Sequence, residues 1–210
     1  MNAPAAAVDA EVEAAVALLR AGRVDEAERA LKAVLARAPA QARALHNLGV
    51  IALQRGELDS ARDLIERSLA HAPDHVGYLG NLIALHRAAE RHDDVILACR
   101  RLLALEPEHV DALIALGNAL LESGEPALAR VRFEWALRLD PAAGEAHNGL
   151  GAVAMRERHH AQALEHFERA AGMLSDQPLI RCNLGDAWLA LGRHREAIAP
   201  YREAVRLAPD

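Results

Sequence analysis

Proline recurs along this chain at a fixed interval. Successive copies lie 34 residues apart, or twice that distance, at Pro39, Pro73, Pro107, Pro141 and Pro209. Ser175 occupies the place that the interval assigns to the missing copy, so the spacing continues through it. A constant period in the range of roughly 20–50 residues marks a chain built from stacked copies of one small structural unit. The period therefore constrains the architecture before any local structure is considered.

Counting back from each proline divides the chain into six units after a short N-terminal extension. The extension covers residues 1–7 and is expected to be flexible. The repeats cover residues 8–210, with units at 8–41, 42–75, 76–109, 110–143, 144–177 and 178–210. Positions are numbered below from the first residue of each unit.

Equivalent positions of the units share residue types. Position eight is glycine in four units and position twenty is alanine in five, whereas position twenty-four is large in all units but the third. The third unit carries Ile83 at position eight and Cys99 at position twenty-four. Small residues at two of these positions allow two helix backbones to approach closely, and the large residue fills the space beside them.

Apolar residues in each unit follow the period of an α-helix in two separate runs. In the fourth unit the first run contains Leu113, Leu116 and Leu120. Spacings of three, four and seven residues predict amphipathic helices rather than strands. Four units place glycine between the runs, where it can end the first helix: Gly22, Gly56, Gly124 and Gly192. The pattern predicts an all-α solenoid of about six helix-turn-helix units.

These positions resemble the tetratricopeptide repeat (TPR) family. The last unit carries the full pattern in Leu184, Gly185, Trp188, Ala197, Tyr201, Ala204 and Pro209. The resemblance covers residues 8–210 and implies a right-handed superhelix whose concave groove is lined by the first helix of each unit. It also implies that positions two, five, six, nine, twelve and thirteen face that groove.

Composition and charge restrict the class of partner and the location. A formal net charge of −6 argues against nucleic acid as a ligand, because phosphate binding requires clustered cations. The first ten residues contain no basic residue, and Glu11 and Glu13 interrupt the apolar run that follows, so neither a signal peptide nor a membrane helix is predicted. A cytoplasmic location is therefore expected. The bias toward arginine and alanine, with Lys32 as the one lysine, is typical of a bacterial gene rich in G and C.

The sequence contains no recognisable catalytic or metal-binding motif. Its eleven histidines lack the HExxH spacing, and most fall at inter-helix corners where exposed polar residues belong. Neither a glycine-rich phosphate loop nor a nucleophile elbow is present. We therefore expect no enzymatic activity, no metal and no cofactor.

Five asparagines mark the positions that the resemblance assigns to the groove. They are spread one per unit over units two to six, as Asn47, Asn81, Asn118, Asn148 and Asn183. An asparagine amide both donates and accepts hydrogen bonds, so it can pair with the backbone of an extended peptide. The row is similar to the asparagine ladder in the repeat arm of O-linked N-acetylglucosamine transferases, although Asn118 and Asn148 are offset from the ladder position. The alternative is that these amides bond within their own helix pairs.

Other groove positions carry His46 and three cations, Arg43, Arg87 and Arg156. Acidic residues at neighbouring groove positions oppose these arginines. No lysine occupies the positions that would form a clamp for a terminal carboxylate, so a strong preference for acidic peptides is not expected.

Two further features predict contacts outside the groove. Trp135 lies at a position that is otherwise mostly alanine or arginine, so it is either an exposed contact on the outer face or packs over its own neighbours. The last unit leaves Ile198, Tyr201, Val205 and Leu207 without a polar cap, which predicts self-association through residues 194–210.

The favoured function is a non-catalytic scaffold that holds a protein or peptide segment in its groove. The alternative is a substrate-recruiting arm of a larger bacterial enzyme, such as a glycosyltransferase or sulfotransferase, suggested by the partial asparagine ladder and the uncapped last unit. A purely structural assembly protein is a third possibility.

Overall fold

The computed structural model describes residues 3–208. Within that range the chain forms twelve α-helices and no strand, which confirms the all-α prediction. In chain order the helices are α1 (Ala3–Arg20), α2 (Val24–Arg37), α3 (Ala42–Gln54), α4 (Leu58–His71), α5 (Val76–Ala88), α6 (His92–Leu105), α7 (Val110–Glu122), α8 (Pro126–Leu139), α9 (Gly144–Arg156), α10 (His160–Met173), α11 (Pro178–Ala190) and α12 (His194–Leu207).

The helix starts repeat with the period of the sequence. From α3 onward, the odd-numbered helices begin at the first residue of a predicted unit, at 42, 76, 110, 144 and 178. The first helix is the exception because it begins at Ala3, within the N-terminal extension. Met1 and Asn2, the rest of that extension, lie outside the described residues. Residues 5–7 are alanines, and the high helix propensity of alanine accounts for this longer helix.

The turn inside each hairpin contains one residue in the left-handed region, at position fifteen. Four of these residues are the glycines predicted to end the first helices, with φ between 73° and 82°. The other two are Glu90, with φ 53°, and Arg158, with φ 64°. A residue with a side chain is strained in this conformation, whereas glycine adopts it freely. The geometry of the turn is therefore common to all six hairpins even where the residue type is unfavourable.

The helices group into two compact units, Met1–Leu105 and Glu106–Asp210. Each compact unit contains three hairpins, and the two helices of every hairpin pack against each other. Between hairpins, the second helix of one packs on the first helix of the next, as α2 does on α3 and α4 on α5 in the first compact unit. In the second compact unit α8 packs on α9 and α10 on α11 in the same way.

Aromatic rings and glycines fit together in the core of the second compact unit. Phe133 is fully buried, and its ring occupies the space that a side chain on Gly117 of α7 or Gly149 of α9 would need. Phe167 lies against Gly151 in the next hairpin, and Tyr201 lies against Gly185 in the last. The prediction that a large residue at position twenty-four packs against a small residue at position eight is therefore confirmed in these hairpins.

The third hairpin reaches the same packing by exchanging the sizes of the two residues. Ile83 stands where other units have glycine, and Cys99 stands where they have an aromatic or large aliphatic side chain. Both are buried between the packed helices α5 and α6. One large and one small side chain at this site keep the interior filled, because cores tolerate substitutions that conserve total volume.

Replacing Gly117 with alanine should destabilise the protein because the new Cβ would lie 2.6 Å from the Phe133 ring. Overpacking of this kind costs about 1–3 kcal/mol. Gly80→Ala is the matched control, since Gly80 lies inside a helix but has open space around its missing side chain. That variant should gain about 0.5–1 kcal/mol from helix propensity. Urea denaturation of both variants measures the difference, and a Gly117→Ala protein as stable as wild type would contradict the packing described.

Candidate peptide-binding face

The first helices of successive hairpins lie next to one another within each compact unit. Helix α3 contacts α1 and α5 in the first compact unit, and α9 contacts α7 and α11 in the second. We call the side of these helices that carries positions five, six, twelve and thirteen the first-helix face. The predicted asparagines Asn47, Asn81, Asn148 and Asn183 belong to it and are half-buried. Asn118 lies at position nine of α7 and is also half-buried.

Two of the predicted asparagines bond directly to each other in the second compact unit. The Nδ2 of Asn183 on α11 donates to the Oδ1 of Asn148 on α9 over 2.8 Å. The bond uses one donor and one acceptor of the pair. An amide has two N–H donors and a carbonyl oxygen with two lone pairs. The linked amides therefore keep hydrogen-bonding capacity beyond the bond between them.

The equivalent bond in the first compact unit joins an asparagine to a histidine. The Nδ2 of Asn81 on α5 lies 3.0 Å from the Nε2 of His46 on α3. In both compact units the bond connects position five of one hairpin with position six of the next. We call these two bonded pairs the amide bridges. Sequence spacing placed the residues on one face but did not predict that they bond to each other.

His46 is also part of a stack of three aromatic rings. The Tyr78 ring lies between the rings of His46 and His75. The distance between ring centroids is 4.0 Å to His46 and 3.7 Å to His75. Burial lowers the pKa of His46 from 6.5 to about 4, and the nearby His75 lowers it too. His46 is therefore neutral near pH 7. This neutral state suits the contact with Asn81, because a neutral imidazole has one nitrogen able to accept a hydrogen bond.

Asn47 does not form an amide bridge. Its Nδ2 donates to the backbone oxygen of Arg43, one turn earlier on the same helix, over 2.7 Å. For this residue the structure therefore matches the alternative of a bond within its own helix pair.

The predicted cations take different roles. Arg43 forms an ion pair with Glu13 of the neighbouring first helix α1. Arg156 donates to the backbone oxygen of Leu121 over 2.5 Å and pairs with Glu122 at the end of α7. Arg87 is exposed on α5. Two of the three arginines thus connect neighbouring first helices, so much of their charge is neutralised within the protein.

The predicted outer contact, Trp135, lies half-buried on α8. Its side chain is partly covered, so the structure lies between the two alternatives that the sequence left open.

A histidine pair between α9 and α10 is a feature that the sequence reasoning missed. His147 on α9 is only 6% exposed, and its Nδ1 lies 3.1 Å from the Nδ1 of His166 on α10. Burial is the main cause that lowers the pKa of each ring. The signal in the sequence is that His147 occupies position four, which holds leucine in three other units. In the described part of the chain no three histidine, cysteine or acidic side chains come together in a way that could hold a metal ion.

The buried state of His46 predicts that acid destabilises the protein. Because its folded pKa is lowered, the unfolded chain binds a proton more readily below pH 6.5, so stability falls as the pH drops from 6.5 toward 4. Its contribution is about 1–3 kcal/mol. In urea titrations at pH 7 and pH 4.5, His46→Gln should lose less stability on acidification than wild type. The exposed His71→Gln is the control, and an equal loss in His46→Gln and wild type would contradict the prediction.

None of the described helices combines the length and the apolar character needed to cross a bilayer.

No curated protein sequence matches the chain. Several solved structures share its fold. A tetratricopeptide repeat protein from Parabacteroides merdae is 19% identical, with a TM-score of 0.82 over 95% of this chain and 79% of that one. PilW, a type IV pilus biogenesis factor, is 17% identical, with a TM-score of 0.81 over 100% of this chain and 96% of its own.

A third structure is YrrB, described as a TPR protein with an unusual peptide-binding site. It is 17% identical, with a TM-score of 0.62 over 86% of this chain and 93% of that protein. The tetratricopeptide repeat family model matches residues 12–76, 82–132, 114–178 and 153–210 of the sequence. These matches together span most of the chain. The chain therefore belongs to the tetratricopeptide repeat family.

Proposed function

We propose that this protein-interaction scaffold holds an extended peptide or protein segment along its first-helix faces without catalysing a reaction. The observation that carries the proposal is the pair of amide bridges. They lie at equivalent positions in the two compact units, between position five of one hairpin and position six of the next. Each bridge would act as a backbone-binding point for a ligand on the first-helix face of its own compact unit.

The chemistry of the Asn148–Asn183 bridge fits a peptide backbone. Extended chains present N–H and C=O groups that need both donors and acceptors. The bond between the two amides fixes their orientation, which lowers the entropy lost when a ligand binds. Since every residue except proline carries the same backbone groups, recognition of this kind depends weakly on ligand sequence.

The first-helix face of α5 leaves room for such a ligand. Gly80 occupies position five of this face, and a side chain there would meet open space. A ligand could therefore approach the helix closely beside Asn81. The fold also resembles that of YrrB, a TPR protein with an unusual peptide-binding site, and this resemblance supports peptide binding on the first-helix face.

Charge should contribute little to ligand selection. The pairing of Arg43 with Glu13 and of Arg156 with Glu122 neutralises two of the predicted cations. Affinity should therefore depend on how many hydrogen bonds the ligand makes rather than on its acidity.

Removing one amide bridge should weaken binding of an unfolded chain. Reduced, carboxymethylated α-lactalbumin serves as the probe, because it stays unfolded under native conditions. Each hydrogen bond to the ligand contributes about 0.5–1.5 kcal/mol. With one such bond lost at each amide, Asn148→Ala/Asn183→Ala should bind about 5- to 160-fold more weakly than wild type. Fluorescence anisotropy of the labelled probe measures the dissociation constants.

The matched control removes two amides elsewhere. Gln162 on α10 and Gln177 before α11 are exposed, and Gln162→Ala/Gln177→Ala should bind as wild type does. Thermal melts establish that both double variants are folded. If wild type binds the probe and Asn148→Ala/Asn183→Ala binds it equally well, the proposed role of the bridge is refuted. If wild type does not bind the probe, the proposed function is refuted for this class of ligand.

A further inference from the structure

Helix α12 exposes apolar residues that equivalent helices cover. Ile198 is 47% exposed and Val205 is 64% exposed. Four other second helices pack on a following hairpin. Their residues at the position of Val205 are buried or half-buried: Leu35, Leu69, Leu137 and Ala171. In each of these cases the first helix of the next hairpin lies against the second helix. The exposed side of α12 is therefore the surface on which a first helix would pack.

Helix α1 exposes the complementary half of the same kind of junction. Its positions three, seven and ten are Ala10, Ala14 and Ala17, all exposed. In every other first helix these three positions are buried. In α11, for example, they are Ile180, Leu184 and Ala187, in the core beside α10. The open side of α1 is thus the side that α3, α5, α9 and α11 turn toward the preceding second helix of their own compact unit.

We infer that α1 of one copy of this chain docks on α12 of a second copy, which extends the repeat packing from one molecule to the next. The two open surfaces are the two halves of the junction that recurs between hairpins inside each compact unit. A second copy is the partner that the chain itself supplies, because it carries a first helix whose positions three, seven and ten, all alanine in α1, are exposed.

Charge at the edge of this junction is compatible with the contact. At the α2–α3 and α8–α9 junctions, ion pairs link position twenty-one with position fourteen of the next hairpin, as Glu28 with Arg55 and Arg130 with Glu157. At the proposed junction the corresponding residues are Ile198 and Ala21. Both are apolar, so docking leaves no unpaired charge at this point. The α10–α11 junction carries the same kind of pair in Leu164 and Leu191.

The inferred contact joins two different surfaces, so it is heterologous. A heterologous contact that does not close into a ring produces chains of increasing length. The average mass in solution should therefore rise continuously with concentration rather than reach a plateau at the dimer.

Two single substitutions test the two surfaces separately. Ala14→Glu places a charge on the open side of α1, and Val205→Glu places one on α12. Each should raise the apparent dissociation constant at least tenfold in sedimentation equilibrium from about 5 μM to about 1 mM. An equimolar mixture should form a 1:1 dimer and no larger species, because the Ala14→Glu chain keeps an intact α12 and the Val205→Glu chain an intact α1.

Leu97→Glu is the matched control, since Leu97 is a 58% exposed apolar residue on α6, outside both surfaces. It should associate as wild type does. Both test positions are exposed, and circular dichroism verifies that the variants are folded. A constant monomer mass for wild type over this range overturns the inference. Association by Ala14→Glu at the wild-type level, or failure of the mixture to dimerise, overturns the pairing of α1 with α12.

Discussion

Close approach of paired helices is the constraint on which the rest of the structure depends. A ring at position twenty-four can be buried only where the facing helix presents no side chain, and Gly117 and Gly149 both provide that space for Phe133. This fit sets the distance between first and second helices. It consequently fixes where the first helices of neighbouring hairpins lie, which brings position five of one hairpin within hydrogen-bonding distance of position six of the next.

The amide bridges show how a surface feature follows from this core. Asn148 and Asn183 lie on different hairpins and meet only because α9 and α11 pack side by side. His46 and Asn81 meet in the same way in the first compact unit. The replacement of asparagine by histidine at position five keeps a group that can bond to the amide, while the ring of Tyr78 stacks on the imidazole.

The sequence predicted the fold closely and the site only in part. Helix type and the fit of large against small residues followed from the 34-residue period, because identical spacing imposes the same packing on each copy. The partners of individual polar groups did not follow. Asn47 bonds to its own helix whereas Asn183 bonds to the next hairpin, and this difference depends on side-chain rotamers that residue type does not determine. The buried position of His147 was missed because most of the other histidines lie at inter-helix corners.

The constant spacing of helix starts also affects how such a gene can change. Duplication or loss of one whole repeat would leave every remaining helix paired with a neighbour of the correct shape. An insertion of one or two codons inside a helix would rotate all later residues of that helix away from the core, because each residue turns the helix by about 100°. Recombination between repeats is therefore a route by which a chain of this type can lengthen or shorten while it remains able to fold.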